Sequence, residues 1–161
     1  MKTVWVFSAL LLAAVPSSGQ TFYGNPNAAI SSGVVIPPGR GFVWTSGTTP
    51  GAANPDAPAN SRERFGDTRT QATSVLKNIQ GQLEKQGLSM KDVVYLRAYL
   101  VADPANGNRI DTAGWNAAYG EFFGTAANPT KPARSTVGVS ALVNANWLIE
   151  VEAFAVLPEK K

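Results

Sequence analysis

The period of the apolar positions changes several times along this chain, and each change marks an element. Between residues 68 and 84, Ala72, Val75, Leu76, Ile79 and Leu83 recur at helical spacing and form one stripe. Thr68 and Gln71 are spaced as a capping box, and Gly87 supplies a left-handed stop. A second stripe, Trp115, Ala118, Tyr119, Phe122 and Phe123, predicts another helix, capped by Asp111 or Thr112 and stopped at Gly124. From Met90 to Val101 the period falls to two, with Val93, Tyr95, Arg97 and Tyr99 alternating against Val94, Leu96, Ala98 and Leu100. Two more strands are predicted over 134–142 and 147–156, joined by a short hairpin loop at 143–146. Upstream, Val34–Ile36 and Phe42–Ser46 are β-rich, separated by a Pro-Pro-Gly turn.

The predicted order is β-β-α-β-α-β-β, an α+β domain with two helices on one face of a mixed sheet. Residues 47–66 carry no apolar period and read as a surface loop, long enough to be functional or mobile. A second loop spans 102–108. In the last strand, Ile149, Val151, Ala153 and Ala155 suit a helix layer. The other face mixes Leu148, Phe154 and Val156 with Glu150 and Glu152, which is odd for solvent and suits contact with another subunit.

Composition narrows the chemistry. The 161 residues contain no Cys and no His, which excludes disulfides, thiolate nucleophiles, Ser-His triads and the usual zinc sites. Reaction chemistry is left to carboxylates, Arg, Lys, Tyr, hydroxyls and backbone groups. The net charge of +3 comes with no basic run, so nucleic acid is not expected as a partner. Lys2 followed by the apolar stretch Val4–Val15 and small residues at 17–19 reads as an export signal over residues 1–19. The expected mature domain is then 20–161, exported and free of the membrane.

Against this background one group of residues is specific. Pro132-Ala133-Arg134-Ser135-Thr136-Val137-Gly138-Val139, then Leu142, then Ile149-Glu150-Val151-Glu152-Ala153, resembles the signature of the RidA/YjgF reactive-intermediate deaminases. The likeness extends through Asn116–Phe123, Thr45-Ser46-Gly47 and Val75–Ile79, covering roughly residues 28 to 158 in order.

The resemblance implies a chorismate-mutase-like fold, a homotrimer whose sheets pack into a central barrel, and sites in the clefts between subunits. It implies hydrolysis of 2-imino or enamine acids, such as 2-iminopropanoate and 2-iminobutanoate, to 2-oxo acids and ammonia, with no metal or organic cofactor. Arg134 stands where the family grips the substrate carboxylate, and Glu150 where it activates water. Asn116, Ser46, Gly47 and Thr136 stand at further substrate-binding positions. Thr136 replaces a Cys common in the family, and Gly33 stands where a pocket Tyr is frequent. A guanidinium fork matches a planar carboxylate, and a carboxylate can shuttle the protons of imine hydrolysis. Two other readings carry the same residues: a non-catalytic binder of small carboxylates, and the endoribonuclease or translation inhibitor with which some members are labelled. The second is disfavoured by the lack of His and of a basic stripe.

Overall fold

The computed structural model describes residues 19–159; the export signal proposed for residues 1–19 lies almost wholly outside them. Four strands form one sheet: β3 (Phe42–Trp44), β4 (Val93–Leu100), β5 (Ala133–Gly138) and β6 (Ile149–Val156), in the spatial order β3-β6-β4-β5. The pairs are antiparallel except β4 with β5, which run parallel. Strands β1 (Thr21–Tyr23) and β2 (Gly33–Val35) make a separate hairpin. The bridge from Ser31 to Ala133 sets this hairpin beside the start of β5.

Two helices, α2 (Thr68–Glu84) and α3 (Thr112–Phe122), cover one face of the sheet. Their stripes meet the inward residues Leu96, Ala98, Leu100, Ile149, Val151, Ala153 and Ala155, all essentially buried. A Leu or Ile withdrawn from water at such a position contributes about 1.5–3 kcal/mol. The α+β class and the mixed sheet with both helices on one side therefore follow the apolar stripes.

Several local expectations are corrected. The cap of α2 is Asp67, whose carboxylate accepts from the Thr70 N–H, and not a Thr68/Gln71 box. Gln71 is instead fully buried. Its amide donates to the carbonyls of Gly66 and Asn146 and accepts from the Leu148 N–H, pinning the chain just before β6 to α2. Residues 90–92 form a 3-10 turn and β4 begins at Val93. Asp111 caps α3 through the Gly114 N–H.

The last two strands are not a hairpin. β5 ends at Gly138 and pairs with β4, while β6 enters on the other side of β4, between it and β3. The connection therefore passes the end of β4, and Gln71 holds its far end. The 47–66 segment is tied down by two arginines and includes the short helix α1 (Arg62–Phe65). Arg64 donates to the carbonyls of Pro55 and Ala57, and Arg62 forms a two-pronged salt bridge to the buried Asp103.

Candidate functional site

The signature residues fall into two groups, on opposite faces of one sheet. Arg134 lies beside Leu96 in the β4–β5 register, so its side chain shares the helix face. There its Nη2 donates to Asn116 Oδ1 at 2.7 Å. Its Cζ sits 4.6 Å from the Tyr119 ring centre and 5.2 Å from that of Trp115, a doubled cation–π contact. Burial lowers its pKa from the ordinary value, as desolvation of a cation must. Its Nη1 is buried and has no hydrogen-bond partner, one of four such side-chain atoms among the described residues. The hydroxyl of Tyr119 is another, and burial pushes that phenol up to about 12. Thr136, two residues along β5, is exposed, and its Oγ1 accepts from the indole N–H of Trp115 at 3.2 Å.

The second group lies across β4. Glu150 stands beside Tyr99 on the outer face, half-buried, with Arg97, Glu152 and Phe154. Its carboxylate lies against Gly47, so closely that a β-carbon there would collide with Oε1. The backbone is shaped for this approach. Thr45 N bonds Ala153 O, and Thr48 exchanges both backbone bonds with Val151, so Ser46 and Gly47 together oppose Glu152. Two residues facing one is a β-bulge, a device that re-aims a strand locally. The Thr45 hydroxyl takes the Ala153 N–H that the bulge would otherwise leave unpaired. Ser46–Thr49, the Lys77–Gln82 face of α2 and Lys85 at its C-terminal end line an open polar groove of about 520 Å³.

Within one chain, then, Arg134, Asn116 and Thr136 are brought together, and so are Ser46, Gly47 and Glu150, but not the two sets with each other. Glu152 is a structural partner, bridging to Arg97 at 3.5 Å and accepting from the Tyr99 hydroxyl at 3.2 Å. Gly33 faces Tyr23 across the β1–β2 hairpin, and the Tyr23 phenol fills the space a side chain at 33 would need. Among the described residues no cluster of acidic groups could hold a metal, and no helix is long and apolar enough to cross a membrane.

Sequence reasoning placed Trp115 and Tyr119 in the core, where they are, but missed that their inner faces also carry Arg134. The available signal was their spacing of one helical turn around Asn116. Tyr23 carried no comparable signal, and Thr45 only its place in the Thr45-Ser46-Gly47 likeness.

A family model described as Endoribonuclease L-PSP matches residues 26–157. The chain belongs to this family, the RidA/YjgF family. Over 90 residues it is 40% identical to a RutC family protein of Pyrococcus horikoshii, a match spanning 56% of this chain and 63% of that one. A RutC family protein of Synechocystis is 34% identical over 119 residues, 74% of this chain and 81% of the relative. Among solved structures, a protein of the conserved Rid family from Yersinia pestis, described as of unknown function, superposes with a TM-score of 0.65 at 29% identity. That likeness covers 86% of this chain and 99% of the Yersinia protein. Membership in the RidA/YjgF family thus rests on nearly the whole domain, including the residues around Arg134 and those around Glu150.

Proposed function

We propose that this protein hydrolyses 2-imino acids of the 2-iminopropanoate and 2-iminobutanoate type to 2-oxo acids and ammonia, in clefts formed between copies of the chain. One observation carries the reading: the desolvated, unpartnered Nη1 of Arg134. A buried guanidinium donor without an acceptor costs free energy, roughly 1–3 kcal/mol or more, unless a ligand satisfies it. A planar carboxylate does so in the geometry that the fixed fork prefers. Asn116 and the two rings hold the fork in place, so little ordering is left for the substrate to supply.

The acid–base partner is Glu150 of a neighbouring copy. With the substrate carboxylate on Arg134, water adds to the imine carbon and Glu150 takes its proton. That proton passes to nitrogen to give the carbinolamine; the same carboxylate then carries the carbinolamine's hydroxyl proton to the amine, and the C–N bond breaks to release the 2-oxo acid and ammonia. The missing side chain at Gly47 lets the Glu150 carboxylate lie directly on the backbone there, so that both can meet the same small substrate. No step needs His, Cys or a metal, in keeping with the residues present.

The test is a coupled assay in which an amino-acid oxidase generates the imine and semicarbazide trapping reports what remains. The proposal expects disappearance well above the spontaneous rate. Equality with that rate at micromolar protein, with pyruvate still bound, leaves a carboxylate-binding protein instead.

A further inference from the structure

We propose that Trp115 is a positioning residue that makes Thr136 a hydrogen-bond donor to the ligand, an inference that rests on the carboxylate-binding role of Arg134. The indole nitrogen can only donate. In its bond to Thr136, at 3.2 Å, the threonine oxygen must therefore be the acceptor. A hydroxyl has one proton, and here that proton is not used toward Trp115, so it is free to point elsewhere. Thr136 belongs to the exposed part of β5, two residues from Arg134 and on the same face of the strand. The free proton is thus on the same face of β5 as the unpartnered Arg134 Nη1, two residues away. Both donors suit the carboxylate or the imine nitrogen of a small anionic substrate, and neither suits a cation.

The same indole fixes the second donor. Trp115 is completely buried, and its ring lies edge-on to Tyr119, with centres 5.9 Å apart. The guanidinium of Arg134 rests on both rings. One side chain therefore sets the polarity of the Thr136 hydroxyl with its edge and the plane of the Arg134 fork with its face. A purely structural tryptophan at this position would need neither its nitrogen nor its orientation toward β5.

The test is a double-mutant cycle of Trp115→Phe and Thr136→Val, with Thr136→Ser as the conservative variant. Two readouts are used: KM and kcat for imine hydrolysis, and the Kd for pyruvate by calorimetry. Trp115→Phe keeps an aromatic ring but, besides losing the smaller pyrrole ring, removes the N–H. It is expected to raise KM and the pyruvate Kd by about threefold to tenfold, the worth of one directed hydrogen bond. Thr136→Val should do the same, Thr136→Ser should not, and the double variant should be no worse than either single one. Additive losses, or a lower melting temperature with unchanged KM and Kd, overturn the inference and leave Trp115 a core residue. The reading on which it rests fails separately: wild type that neither accelerates hydrolysis nor binds pyruvate removes both. Wild type that binds without turnover removes only the deaminase, and the cycle is then read in Kd.

Discussion

Arg134 meets its surroundings through three parts of one guanidinium: an edge held by Asn116, a flat face on two aromatic rings, and a dry nitrogen with no partner. Lysine could reproduce the charge but not that division of labour. Arg134→Lys is expected to lower kcat/KM by roughly a hundredfold, most of it in KM, measured in the imine assay. Glu150→Gln keeps the shape over Gly47 and removes the proton acceptor. Its kcat should fall by a factor on the order of 10² to 10⁴ with pyruvate binding intact. Gly47→Ala has no backbone reason to misfold, because Gly47 is not among the glycines with positive φ. The added methyl displaces the Glu150 carboxylate, so activity should drop while the far-ultraviolet dichroism is unchanged.

At the scale of elements, the Arg62–Asp103 bridge ties α1 to the loop before α3, and it is sensitive to acid. The hydrogen bonds from Arg62 hold the Asp103 carboxyl below the usual carboxylate range. A folded pKa depressed below the unfolded one stabilises the fold above the unfolded value, near 4, and that stability is lost as pH falls through the folded value. Asp103→Asn should therefore unfold at lower urea than wild type at pH 7, and the gap between the two should narrow steadily below about pH 4.

The sequence pattern announced elements of this kind unevenly. α2, α3, β4 and β6 were legible because each buries a complete stripe against its neighbours, so period alone identifies them. β1 was not, since Thr21–Tyr23 is three residues long and pairs only with another three-residue strand. The supposed hairpin failed for a different reason. Strand order is decided by what captures the connection, and here a buried glutamine on α2 does so from 75 and 77 residues away. Candidate site residues were legible only as a joint motif. Nothing in their spacing reveals that Arg134 and Glu150 face opposite sides of the sheet, because that depends on the β4 register between them.

For the whole molecule, the proposed division of the site between copies makes assembly testable through function. Arg134→Lys and Glu150→Gln chains, each inactive alone, should recover activity when unfolded together and refolded as a mixture. Random mixing gives each interface about a one-in-four chance of pairing an intact Arg134 half with an intact Glu150 half. Recovery toward a quarter of wild-type activity is expected, with a mass near three chains by light scattering. No recovery from a mixture that does co-assemble would place both halves of the reaction in one subunit. The exposed outer-face residues Phe42 and Trp44, with half-buried Phe154 packed against both, are the apolar surface available for that contact.

The bulge at Ser46 and Gly47 has a consequence for chain length. Because Thr48 already pairs with Val151, excising Gly47 alone would leave Thr45, Ser46 and Thr48 opposite Ala153, Glu152 and Val151 in an uninterrupted ladder. The sheet would be healed rather than broken, and no inward-facing side chain would change sides. A one-residue deletion, ordinarily among the most damaging changes to a strand, should here leave the melting temperature equal or higher while abolishing imine hydrolysis. The residue that could be removed without harm to the architecture is the one kept, in this reading, for the reaction.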